Sequence, residues 1–107
     1  MEKVIRDGKV AVIYSPNWGA GWYSWHNFEA LVYHPTLVEM IEEGRHHDIT
    51  EELCKILLGL NDDNYLTISC VEDLKIEWLP VGTQFRIDEY DGNESIIIKE
   101  DEFWLTA

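Results

Sequence analysis

The sequence predicts an α+β domain: an N-terminal strand, two short helices, then a C-terminal antiparallel sheet of about four strands. Three observations carry that prediction. A short all-apolar run lies near the N-terminus, two segments in the middle repeat apolar residues at helical spacing, and beyond residue 64 the period drops to two. At 107 residues the chain has the length of one domain, able to bury roughly two thirds of its unfolded surface. With 46% hydrophobic residues, including five Trp, five Tyr and three Phe, it has the apolar area a folded core requires.

Lys9 to Tyr14 (KVAVIY) stands between two turn signals, Asp7-Gly8 and Ser15-Pro16-Asn17, and reads as a largely buried strand. From Trp22 to Tyr33 the pattern is ambiguous, because Trp18, Trp22, Trp25 and Glu29 repeat helically among weak helix formers such as Gly21, Ser24 and Asn27. This stretch is expected to be irregular, with about one helical turn. Pro35 suits a first helical turn, Leu37, Val38 and Ile41 share a face, and Gly44 is a left-handed stop, so a helix is expected over residues 35–43.

Asp48-Ile49-Thr50-Glu51 resembles a capping box led by Asp48, opening a helix over about 49–59. That helix would turn Leu53, Ile56, Leu57 and Leu60 inward and end near Gly59. After the turn cluster at 61–64, strands are expected over 65–70, 74–79, 83–90 and 94–99, with Leu66, Ile68, Leu74, Ile76, Trp78, Phe85, Ile87, Ile96 and Ile98 on buried faces. Pro80-Val81-Gly82 and Asp91-Gly92 supply the turns. Residues 100–107 form a last edge strand or a packed tail, and Phe103-Trp104 at such an edge would favour an oligomer.

Charge excludes some functions. With 21 Asp plus Glu against 8 Lys plus Arg the formal net charge is −13, so direct binding of DNA or RNA through a basic surface is not expected. Basic protein partners are favoured instead. The N-terminus lacks the apolar run of a signal peptide and no stretch approaches a membrane span, which predicts a cytoplasmic protein without membrane contact. Cys54 and Cys70 lack metal-ligand spacing and read as buried reduced thiols, with a disulfide as the alternative.

The chemistry-bearing stretch is SPNWGAGWYSWHNF, residues 15–28. Gly19-Ala20-Gly21-Trp22-Tyr23-Ser24 has the outline of a dinucleotide loop, but no strand-helix-strand alternation surrounds it. Trp18, Trp22 and Trp25 offer flat area for a planar ligand, and Gly19, Ala20 and Gly21 would let a backbone approach it closely. The alternative is that these tryptophans are core.

Arg86 stands mid-strand on the face opposite Phe85 and Ile87, together with Asp88 and Tyr90. It would grip an anion, with Tyr90 stacking and Asp88 orienting the guanidinium; the alternative is an exposed ion pair. His46-His47-Asp48 reads as a solvated turn, and no metal site, cofactor or catalytic constellation is expected. The chain is therefore read as a non-enzyme. Carboxylates gather at Glu39, Glu42, Glu43, Asp48, Glu51 and Glu52, at 88–94 and at 100–102, as a solvated face or as a mimic of nucleic-acid phosphates.

The block from Val10 to Trp25, with Ser15-Pro16 and Gly19-Ala20-Gly21-Trp22-x-x-Trp25, and the block from Trp78 to Gly92, with Phe85-Arg86-Ile87-Asp88-Glu89-Tyr90-Asp91-Gly92, resemble a group of small acidic proteins encoded by bacteriophages, over roughly a third of the chain. Those relatives often carry Asn where His26 stands here. The resemblance implies a setting rather than an activity. Small accessory phage proteins frequently counter bacterial immunity by sequestering a nucleotide signal or by blocking a nuclease complex. Two expectations follow: a protein enclosing a small nucleotide-like immune signal in the aromatic and glycine pocket, or an acidic inhibitor of a basic host defence protein.

Overall fold

The computed structural model describes residues 2–16, 22–24, 26–61, 63, 66, 68, 71–90 and 93–99. In chain order these form strands β1 (Ile5–Arg6) and β2 (Lys9–Tyr14), and helices α1 (Ala30–Tyr33), α2 (Pro35–Glu42) and α3 (Glu51–Leu58). Strands β3 (Lys75–Pro80), β4 (Phe85–Tyr90) and β5 (Asn93–Ile98) follow. The fold is α+β, as expected.

The strands pair differently from a C-terminal meander. β3 lies antiparallel on β2, with Ala11 opposite Trp78 and Ile13 opposite Ile76, so the N-terminal strand is central to a sheet ordered β1-β2-β3. β4 and β5 form a separate two-stranded sheet, Phe85 opposite Ile98 and Tyr90 opposite Asn93. Asp91 and Gly92 lie outside the described residues. Of the strand expected over 65–70, only Leu66 and Ile68 are described; neither is in a strand, yet Leu66 is buried and Ile68 packs on the core. The tail at 100–107 and Cys70 lie outside the described residues.

This division explains why KVAVIY is apolar on both sides. Ala11 and Ile13 face a core built with Leu31, Leu37, Val38, Ile41 and Cys54, while Val12, with Leu79 of β3, faces Phe85, Ile87, Ile96 and Ile98 of the β4–β5 hairpin. A strand between two apolar layers loses the alternation of a half-exposed one. The tight β1–β2 hairpin turns on Asp7 (φ 51°) and Gly8 (φ 74°), a two-residue loop with both φ positive, as the right-handed strand twist prefers.

Helix α2 ends where Gly44 (φ 73°) enters the left-handed region and the Arg45 N–H donates to the Met40 carbonyl at 2.8 Å. Its N-terminus is capped by His34, whose Nδ1 accepts from the Thr36 N–H at 3.1 Å. Helix α3 departs from expectation twice. Asp48 is taken up in a 3-10 turn, His46–Asp48, so the cap falls to Thr50, whose Oγ1 accepts from the Leu53 N–H at 3.1 Å. The buried face is centred on Cys54, and Ile56 is 74% exposed. Helix α1 is a short turn whose Ala30, Leu31 and Val32 are all buried.

Candidate functional site

The aromatic segment is anchored by a residue that sequence reasoning passed over. Glu94 is the second residue of β5 and is 1% exposed. Its Oε1 accepts from the Ser15 N–H at 2.9 Å, and its Oε2 accepts from the Trp22 N–H at 3.0 Å, the Ser24 N–H at 2.8 Å and the Ser24 hydroxyl at 2.8 Å. The Glu94 N–H in turn donates to the Ser15 carbonyl at 2.7 Å. These partners are N–H and O–H donors and none is a cation, so backbone dipoles offset the buried charge. One carboxylate thereby ties the end of β2 and the segment 22–24 to the hairpin. Among 21 acidic residues the signal that could have found this one is its parity: the two-residue period that turns Ile96 and Ile98 inward puts Glu94 on the same face.

Trp22 is placed in the core rather than at a pocket wall. It is 0% exposed, packs with Leu31 and Ile13, and its indole Nε1–H donates to the Leu31 carbonyl at 2.7 Å. Its ring faces are covered by protein, so the expected stacking role does not fall to Trp22. Trp18, Gly19, Ala20, Gly21 and Trp25 lie outside the described residues.

Arg86, Asp88 and Tyr90 share the outward face of β4, as the alternation predicts, with Phe85 and Ile87 turned inward. The Arg86 Nε–H donates to Asp88 Oδ1 at 2.8 Å, and Nη2 lies 3.4 Å from Oδ2. Asp88 therefore orients the guanidinium. Tyr90 is 72% exposed.

Arg86 also lines a cleft of about 370 Å³ between β4 and the segment leading into α1. One wall carries Tyr23, Asn27, Glu29 and Tyr33; the other carries Phe85, Arg86 and Ile87, with Val32 between them. Three aromatic rings, one carboxylate and one amide thus meet on a hollow of small-ligand size, and Arg86 borders it with its guanidinium beside Asp88 on the outward face of β4. Burial, with help from the nearby Glu29 charge and Tyr23, raises the Tyr33 phenol above its ordinary value, so it stays a hydrogen-bond donor at neutral pH. Asn27 holds a positive φ of 58°, which Asn tolerates better than most residues. The aromatic richness of 15–28 pointed to this neighbourhood, but the participation of Tyr33 and Phe85 depends on the hairpin folding back over β2.

Among the described residues no group of three or more His, Cys, Asp or Glu side chains is arranged to hold a metal ion. Cys54 is a free, buried thiol; burial, reinforced by Glu51, pushes it up to about 11, which leaves it protonated and unreactive at neutral pH. Among the described residues no helix is long and apolar enough to cross a membrane. Set beside known protein families, curated proteins and solved structures, the chain matches none of them.

Proposed function

We propose that this is a non-enzymatic binding protein that takes a small, planar, anionic ligand of the nucleotide class in the cleft between α1 and β4. The observation that carries the reading is the convergence of Tyr23, Tyr33 and Phe85 on one hollow of about 370 Å³ that Arg86 borders from β4. Stacking on aromatic side chains contributes about 1–3 kcal/mol per base and tolerates any base. Asn27 and Glu29 supply a donor and acceptors for a polar ring edge, and Arg86, held by Asp88, meets the negative group. The stacking surface is thus assigned to Tyr23, Tyr33 and Phe85 in place of Trp22. In the setting the phage resemblance implies, such a protein would lower the free concentration of a nucleotide immune signal by sequestration.

The test is to heat-denature the purified protein and read the supernatant for ultraviolet absorbance and mass. The wild type is expected to release a nucleotide-like species, or to take one up from a panel of mono- and cyclic nucleotides, and Arg86→Ala to do neither while remaining folded. Binding by neither protein, or by both equally, overturns the reading.

A second reading is favoured by a separate observation. Glu39, Glu42, Glu43, Asp48, Glu51 and Glu52 are all exposed around α2 and α3, so the acidic surface is available to a basic host protein. That reading predicts capture whose affinity falls steeply between about 50 and 200 mM salt, by analogy with polyanion binding; salt-insensitive capture contradicts it.

A further inference from the structure

Beside the cleft lies a second hollow of about 150 Å³, floored by the buried Val12 and Leu79. The two share Tyr33 and Phe85, which stand as a common wall. One basic residue borders each: Arg86 the larger, from the edge of β4, and Lys3 the smaller. The Lys3 ammonium stands 4.6 Å from the centroid of the Tyr33 ring, close enough for a cation–π contact that holds it at the wall.

We propose that the two hollows are adjoining subsites of one site, and that its ligand carries two separated anionic groups, one met by Arg86 and the other by Lys3, across the Tyr33–Phe85 wall. This rests on the nucleotide reading above and narrows it from any planar anion to one with two charged groups. A ligand with a single phosphate uses the larger hollow alone. A bisphosphate spans both, and the second ion pair, with the Lys3 ammonium held at the Tyr33 ring, adds to its affinity.

The experiment is calorimetric titration of the full chain with adenosine 5′-monophosphate and with adenosine 3′,5′-bisphosphate, on the wild type, Lys3→Gln and Arg86→Gln. Lys3 is exposed and its replacement leaves the core untouched, which thermal melting verifies. The wild type is expected to favour the bisphosphate about tenfold, the equivalent of about 1.4 kcal/mol. Lys3→Gln should remove that preference and change monophosphate affinity less than about twofold, whereas Arg86→Gln weakens both. Equal affinity of the wild type for the two probes, or equal losses for both in Lys3→Gln, overturns the two-subsite inference and leaves the cleft reading standing. Binding of neither probe to the wild type overturns both.

Discussion

Replacing Glu94 by Gln tests how the site is held together. Glutamine keeps the length of the side chain and one acceptor oxygen. The better orientation places that oxygen where Oε2 accepts from Trp22 N–H, Ser24 N–H and the Ser24 hydroxyl, which turns the amide NH2 toward the Ser15 N–H. Two donors then face each other in a buried space. The lost charge-assisted bond and the stranded Ser15 amide cost about 1.5–3 kcal/mol. The three remaining bonds weaken from charged to neutral strength, about 0.5–1.5 kcal/mol each, partly offset because no charge is now buried. The net expectation is a destabilisation of about 2–4 kcal/mol, a large share of the stability of a small domain. Chemical denaturation with unchanged m-value, and a Tm lowered by roughly 10–25 °C, would report it. Glu39→Gln, on the exposed side of α2, should stay within about 0.5 kcal/mol of the parent. A Glu94→Gln protein as stable as the Glu39→Gln control refutes the claim that this carboxylate anchors the aromatic segment.

Other outcomes follow from the same geometry. Trp22→Ala should cost about 3–5 kcal/mol in denaturant unfolding, because it empties a fully buried site and strands the Leu31 carbonyl. Thr50→Ala should cost about 1 kcal/mol and Asp48→Ala close to nothing, since Thr50 is the observed cap. The Cys54 thiol, raised to about 11 when folded, gives a stability that is complete below the unfolded thiol range near 8.5–9 and declines as pH rises toward 11, by about 2–3 kcal/mol. Denaturation at stepped pH should show that decline in the wild type and lose this contribution in Cys54→Ala; a decline of equal size in both contradicts the assignment.

The parts of the fold legible in the sequence are those set by local chemistry. Gly44 and Gly59 stop helices as their conformational freedom predicts, and the Arg86-Asp88-Tyr90 face follows from the two-residue period of β4. What the sequence hid depends on distant partners. The pairing of β3 with β2 instead of β4 cannot be read from alternation, because alternation says which face is buried and not which neighbour lies alongside. That α3 buries Cys54 and exposes Ile56 depends on the elements packed against it, which place Cys54 among Leu31, Leu37 and Ile41, and not on its own spacing. The site was half legible. Arg86 with Asp88 emerged from spacing, and the aromatic loop marked the right neighbourhood, but Glu94 and the Tyr33–Phe85 wall arise only when the hairpin packs over β2. Gly19, Ala20 and Gly21 lie outside the described residues, and the expectation that Trp22 is a ligand surface is corrected by that ring's burial.

The central claim is that a planar anionic ligand occupies the cleft between α1 and β4. Amide and side-chain NMR of isotope-labelled protein, titrated with adenosine 5′-monophosphate, tests it most directly. The account predicts saturable shifts centred on Tyr23, Asn27, Tyr33, Phe85 and Arg86, with upfield ring-current changes on the ligand, and their loss in Arg86→Ala. Shifts confined to residues outside that cleft, or no shift at millimolar ligand, contradict it.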